Sequence, residues 1–266
     1  MTKSLEPVSK DASSTPLNHD QHPYIKHRQF LNDLFKFAIQ RGFINHNPVE
    51  NTEVKREPKR KKQRHTLEGY LKIYKAAPDW LKRAMQIALL SLQRRADLVG
   101  LHRDRIDMHE RTITILQSKT KNYENPVFIK IKMGEELYAA VKDCFNSGVP
   151  CPYLIHYRPK RMTTEQRKAK LHPFAVTLDH LSKSFSAIRD QCGAYDHLPK
   201  DHRPSLHDLR ALGSYLYEKA GYPLDYIQAL DGHATPAMTQ RYIDGHEAKK
   251  PVIVHADLSL RVMEQL

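Results

Sequence analysis

Ser205-Leu206-His207-Asp208-Leu209-Arg210-Ala211-Leu212-Gly213-Ser214-Tyr215-Leu216 is the stretch from which the rest of the chain can be read. Ser205 and Asp208 have the spacing of a capping box, with the serine as N-cap and the acid at N3, so a helix is expected from Ser205 to Ala220 with His207 in its first turn. Leu209, Leu212 and Leu216 recur at helical spacing and would anchor that helix in a core. His207 and Arg210 share a different face beside the positive end of the helix, a place that suits a phosphate. Taken alone, the pair also reads as a solvated His and Arg in a chain that has 16 His and 43 Lys+Arg.

Reading outward from this helix toward the C-terminus, Pro223 to Leu230 and Pro236 to Tyr242 are two further helices. Gly232-His233 precedes Thr235-Pro236, an N-cap followed by proline at N1. Tyr242 lies nine residues after the histidine; a given tyrosine in a chain with 13 of them is usually a packing residue, and its place after a Gly-His turn is what singles it out. Val252 to His255 is a short apolar strand, either closing the sheet or serving assembly. Toward the N-terminus, Val176 to Gln191 and Gly134 to Phe145 are helical, with a basic irregular loop from Arg158 to Lys170 between them. Arg111 to Leu116 alternates with β-branched residues, as does Val127 to Ile131 after the polar turn Lys121 to Asn125, giving a hairpin or small sheet. Thr66 to Ala76 and the segment from Pro78 are helices. The fold class is α+β: a mainly helical domain with a small antiparallel β-sheet.

The 266 residues carry 43 Lys+Arg against 30 Asp+Glu, a net charge of +13 that points to a polyanionic partner. Seven of the basic residues, Lys55, Arg56, Lys59, Arg60, Lys61, Lys62 and Arg64, crowd a segment whose only acid is Glu57. The boundaries follow from these shifts in composition: a disordered arm over 1–22, an amphipathic helix from Ile25 to Arg41 within 23–53, a basic linker over 54–65 suited to contacting DNA, and the mainly helical domain over 66–266. No window approaches the roughly 18 apolar residues of a spanning helix, and the N-terminus lacks a secretory h-region, so no membrane is expected and the setting is intracellular. Cys144, Cys151 and Cys192 are odd in number without a C-x-x-C pair and read as reduced thiols. His197, His202 and His207 recur every five residues, which places no two on one helical face, so no metal site is expected.

The order Arg, Lys, His-x-x-Arg, Gly-His, Tyr resembles the tyrosine recombinases, particularly integrases of the lambda type, from about Phe30 to the C-terminus. Ser91-Leu92-Gln93-Arg94-Arg95-Ala96-Asp97 aligns with the family's Thr-Gly-x-Arg-x-x-Glu/Asp, placing Arg94 at the arginine position with Arg95 as the competing choice. Gln117-Ser118-Lys119-Thr120 looks like the hairpin lysine segment, nominating Lys119 over Lys121, which remains a DNA contact. His207, Arg210, His233 and Tyr242 fill the other positions. Two departures stand out: Ser91-Leu92 replaces Thr-Gly, and Asp231 replaces the usual Leu before Gly-His.

The resemblance implies that Tyr242 attacks DNA to form a 3′-phosphotyrosyl link while Arg94 and Arg210 clamp the nonbridging oxygens. It further implies that Lys119 protonates the leaving 5′-oxygen, His207 assists proton transfer and His233 hydrogen-bonds the phosphate, with Asp97 and Asp208 orienting the cations. Such chemistry needs a nucleophile, cations and a proton donor, and no cofactor or metal. The partners it implies are double-stranded DNA attachment sites, four protomers on synapsed DNA and accessory DNA-bending proteins, in the cytoplasm of a bacterial host. The helix near the N-terminus would be a remnant of the family's core-binding domain, on a chain read as N-terminally truncated. Two other readings stay open: a noncatalytic DNA-binding remnant that competes with an intact enzyme, and a type IB topoisomerase-like enzyme.

Overall fold

A computed structural model describes residues 21–54, 62–118, 128–168, 170–233, 235–244 and 246. The chain divides into two compact units, residues 1–61 and 62–266. In the first, helix α1 (Gln21–Gln40) begins four residues before Ile25. Pro23 tolerates this because first-turn amides have no helical acceptor in any case. Gly42 ends the helix at φ 73°, and Gly42 N and Phe43 N donate to the carbonyls of Ile39 and Ala38. A short 3₁₀ turn (Pro48–Asn51) is tied back to α1 by Asn47 Nδ2 donating to Asn32 Oδ1 at 2.8 Å and by Arg28 Nε donating to Thr52 Oγ1 at 2.9 Å. Along the apolar stripe of α1, Phe30, Leu31, Leu34 and Phe37 are exposed among the described residues.

The second unit is built on α3 (Asp79–Ser91), whose Leu81, Met85 and Ile87 are fully buried. Packed around it are α4 (Arg95–Val99), α5 (Glu135–Phe145), α7 (Leu178–Gln191) and α8 (Asp208–Lys219), with α2 (Leu67–Ala76) against α7. Two shorter helices, α9 (Leu224–Asp231) and α10 (Pro236–Ile243), lie against α8. A three-stranded antiparallel sheet runs in the order β1 (Ile106–Asp107), β2 (Thr112–Leu116), β3 (Phe128–Lys132), with Thr112 opposite Lys132 and Leu116 opposite Phe128. The mainly helical domain with a small antiparallel sheet is therefore as expected.

β1 and α4 were not foreseen because two to five residues are too few to display a period. The same brevity hid α6 (Thr164–Lys168), which interrupts the Arg158 to Lys170 segment expected to be irregular. The expected strand Val252 to His255 lies outside the described residues. Cys144, Cys151 and Cys192 are free thiols, and burial pushes Cys144 up to about 12.

Leu92, directly after α3, adopts the left-handed conformation (φ 55°, ψ 20°) and is fully buried; that conformation costs a leucine on the order of 1 kcal/mol. The family's glycine would adopt it freely. The space for the leucine side chain comes from Gly213 of α8, where a Cβ would stand 2.4 Å from Leu92 Cδ2 and 2.5 Å from Leu89 O. Gly213→Ala is therefore expected to lower stability by roughly 1–3 kcal/mol through overpacking, measurable as a fall in denaturant midpoint.

His65, 1% exposed, joins the start of this unit to the turn before α8. Its Nε2 donates to Ser205 O at 3.0 Å and its Nδ1 accepts from Tyr195 Oη at 3.0 Å, while Tyr195 Oη itself accepts from Thr66 N. Burial lowers its pKa to about 4, against the raising influence of the Ser205 carbonyl and Asp208. The unfolded chain then binds a proton that the folded chain refuses between about pH 6.5 and 4. Stability should fall through that window as pH drops, by roughly 3 kcal/mol from this group, and His65→Gln should remove that part of the slope in melts recorded against pH.

Candidate active site

The first turn of α8 differs from a capping box. Residues 205–207 form a separate turn, with Asp208 N donating to Ser205 O at 2.9 Å and Leu209 N to Leu206 O at 3.1 Å, and the helix starts at Asp208. The acid still reaches back as the box requires: Asp208 Oδ2 accepts from Ser205 N at 2.7 Å and from Ser205 Oγ at 2.8 Å. His207 thus stands at the N-cap, exposed, while Arg210 one turn on is 2% exposed. A solvated pair is ruled out for the arginine: a buried guanidinium must have partners, and it has several.

Arg210 Nη1 donates to Leu92 O at 2.6 Å, Nη2 donates to the carbonyl of Asp231, and Nε lies 2.8 Å from Asp231 Oδ1. The left-handed turn at Leu92 is what aims its carbonyl at Arg210. Arg210 Nη2 also lies 3.0 Å from His233 Nε2. Since a guanidinium can only donate, Nε2 accepts and the ring proton sits on Nδ1, which donates to Thr239 Oγ1 at 3.1 Å. His233 is held there by Gly232, at φ 62°, where a Cβ would fall 1.8 Å from Gln117 Nε2. Gly232→Ala should cost more than the roughly 1 kcal/mol of a left-handed alanine, because Gln117 and the β2 end must also move; a melt paired with DNA binding checks it.

Arg94, at the N-cap of α4, is 12% exposed in its side chain, with Nη1 at 4.0 Å from the buried Asp97 Oδ2. Asp97 Oδ1 accepts from Ser118 N at 2.7 Å, so one carboxylate faces Arg94 and fixes the residue that precedes Lys119. Arg95 lines a small pocket with His207 and Arg210 and donates from Nη1 to Ser182 Oγ of α7 at 2.8 Å. Both arginines act on His207, but only Arg94 also acts on Arg210 and Asp231, while Arg95 braces α7.

Tyr242, near the end of α10, closes the group. Its Oη lies 3.3 Å from His207 Nε2, its ring is 4.9 Å from that of His233, and Arg210 Cζ sits 5.6 Å from its centroid. Partial desolvation lowers the His207 pKa below its ordinary value, opposed by Asp208 and assisted by Arg210, Arg95 and Arg94. At neutral pH the imidazole is uncharged, with Nε2 able to accept the phenol proton.

Five of the six expected residues, Arg94, His207, Arg210, His233 and Tyr242, are thus brought together. Lys119 and Lys121 lie outside the described residues, as do Lys55, Arg56, Lys59, Arg60 and Lys61 of the basic segment. Lys62 is exposed. Arg64, expected only as a DNA contact, donates to Arg241 O on α10 and stands 6.0 Å from the Tyr242 ring centroid. Sequence reasoning missed the parts played by Leu92, Asp231 and Thr239. The first two had a signal, since both depart from the family pattern. Thr239 had a weaker one, its place one helical turn before Tyr242. Among the described residues no cluster of His, Cys, Asp and Glu is placed to hold a metal ion, and no helix is long and apolar enough to cross a membrane.

Two guanidinium groups, two imidazoles and a phenol on a helical domain with a three-stranded sheet are the equipment of phosphodiester transfer to a tyrosine. The chain belongs to the phage integrase family, whose model matches residues 61–249. It is 29% identical over 221 residues to the integrase of Enterobacteria phage 434 and 28% identical over 221 residues to that of Escherichia phage lambda, in each case across 82% of this chain and 56% of the relative. It therefore spans little more than half the length of these relatives. A structure of a lambda integrase (75–356) dimer bound to a COC′ core site superposes with a TM-score of 0.64 at 26% identity, covering 86% of this chain and 76% of that one. A lambda integrase tetramer bound to a Holliday junction gives 0.63 at 26% identity, covering 88% and 65%.

Proposed function

We propose that this chain is a site-specific DNA recombinase that cleaves and rejoins strands by transesterification through Tyr242. The observation that carries the reading is the phenol of Tyr242 lying 3.3 Å from His207 Nε2 and over Arg210. Tyr242 Oη attacks the scissile phosphorus and its proton passes to His207 Nε2. The bond from phosphorus to the 5′-oxygen breaks, Lys119 protonates that oxygen, and the DNA is left joined to the enzyme through a 3′-phosphotyrosyl ester. Arg94 and Arg210 take the charge on the nonbridging oxygens, and His233 donates a hydrogen bond to the phosphate. Because the ester conserves the phosphodiester bond, the reverse attack by a 5′-hydroxyl of another strand rejoins DNA with no external energy source.

The substrate on this reading is a double-stranded attachment site, held by four protomers when two sites are synapsed, with accessory DNA-bending proteins assisting and a bacterial host cytoplasm as the setting. The basic segment 54–65 tracks the DNA backbone between the α1 helix, part of a core-binding module, and the catalytic domain beyond it. The similarity to DNA-bound lambda integrase structures supports this assignment.

The experiment is incubation with a nicked suicide duplex, which loses the short strand carrying the 5′-hydroxyl and so traps the adduct. A covalent protein–DNA band is expected from the native chain. No band at high protein and low salt, with DNA still bound, favours a noncatalytic binding role. Binding itself should weaken steeply with salt, with a slope in log affinity of about −0.9 per phosphate neutralised; a flat response measured by anisotropy contradicts it.

A further inference from the structure

We infer that Asp231 is a positioning residue for the catalytic pair Arg210 and His233, a part taken here by a carboxylate where the family has leucine; this rests on the recombinase reading. The side chain is 0% exposed, and both of its oxygens are directed at functional groups. Oδ1 lies 2.8 Å from Arg210 Nε, an approach too bent to count as a hydrogen bond and therefore a charge contact. Oδ2 lies 3.0 Å from Ser214 Oγ, whose single proton is shared between this oxygen and Arg210 O at 2.9 Å, and 3.7 Å from His233 Nδ1. The carbonyl of the same residue accepts from Arg210 Nη2. One residue thus grips the guanidinium through main chain and side chain, and Ser214, one turn along α8 from Arg210, steadies the carboxylate.

A buried carboxylate is retained at a cost. Burial raises its pKa to about 6 against the pull of Arg210, the Ser214 hydroxyl and Arg94. Its ionisation therefore weakens the fold as pH rises through that value, since the folded state holds the proton more tightly than the unfolded one. A leucine would avoid that penalty; what the carboxylate offers in exchange is control of two groups. It neutralises a guanidinium that would otherwise be buried with uncharged hydrogen-bond partners alone, and it lies 3.7 Å from His233 Nδ1, whose proton goes to Thr239 Oγ1. When a phosphate oxygen comes between Arg210 and His233, Nε2 must donate to it rather than accept from Arg210. The ring then carries protons on both nitrogens, the second taken from solvent, and Asp231 stands where it stabilises that cation. The charged and titratable groups around it are Arg210 of α8, Arg94 at the start of α4, His233 in its own turn, and Tyr242 of α10, packed on His233 and Arg210.

The test uses the full chain and Asp231→Asn, which keeps the shape and removes the charge. At saturating nicked duplex the rate of adduct formation should fall about 10²-fold, with DNA affinity changed less than about threefold, as for a group that acts in the transition state. The acid limb of the rate profile should change from a dependence on two deprotonated groups, Asp231 and His207, to a dependence on His207 alone. In ¹⁵N spectra of the histidines without DNA, with His233 assigned by His233→Gln, the wild type should show a fixed Nδ1–H form and Asp231→Asn a mixture of forms. Ser214→Ala, which removes the hydroxyl shared by Oδ2 and the Arg210 carbonyl, should give the same changes in milder form and serves if Asp231→Asn does not fold. Unchanged rate, pH limb and His233 spectrum overturn the inference. If the wild type itself makes no adduct, the recombinase reading fails, and the His233 spectrum alone then decides whether Asp231 sets the ring.

Discussion

Arg210→Ala is expected to be damaging twice over, to the fold and to the reaction. In the fold, the substitution leaves Asp231 buried with its charge unanswered, and breaking such a pair from one side costs roughly 3–5 kcal/mol. A domain of this size loses about 2–4 °C per kcal/mol, so the melting temperature should drop by roughly 10 °C. In the reaction, loss of a guanidinium from the phosphate should reduce adduct formation by at least about 10³-fold. Arg210→Lys separates the two effects: it keeps the charge near Asp231 but cannot reach Leu92 O, Asp231 and His233 together, because an ammonium lacks the planar fork. It should recover much of the stability and little of the activity. Calorimetry and suicide-substrate trapping on the same preparations check both halves.

Tyr242→Phe is expected to abolish the adduct altogether while leaving the chain folded and bound to DNA. Tyr242 is half-buried and the close protein partner of its phenol oxygen is His207 Nε2 at 3.3 Å, so removing that oxygen strands no buried polar group and should shift stability by less than about 1 kcal/mol. The ring keeps its contacts with His233 and Arg210. Retained affinity with no covalent product separates nucleophile from scaffold; a residual adduct on the phenylalanine variant means that another residue attacks.

The five residues that the structure brings together were legible because each belongs to a short local motif whose order along the chain is distinctive. His207-x-x-Arg210, Gly232-His233 and Tyr242 can be read without knowing what faces what. The stripe Leu209, Leu212 and Leu216 likewise announced a core face: the first two are buried and Leu216 is half-buried against the core. What escaped was what depends on distant partners. Nothing near Leu92 in sequence shows that a left-handed leucine is accommodated by the bare Cα of Gly213 on another helix. Arg94 and Arg95 are adjacent and chemically alike, and only the positions of Asp97 and Ser182 tell them apart. Asp231 could be seen as a departure from the family pattern, but not that the change places a carboxylate against Arg210.

The proposed phosphodiester chemistry centres on one bond, between Tyr242 Oη and a 3′-phosphate. Its most direct measurement is protease digestion of the trapped protein–DNA adduct, followed by mass spectrometry of the DNA-linked peptide and end-labelling of the released strand. The account predicts a single cross-linked peptide containing Tyr242, attached to a 3′-phosphate, with a free 5′-hydroxyl on the departing strand. A link to any other residue, or to a 5′-phosphate, would contradict it.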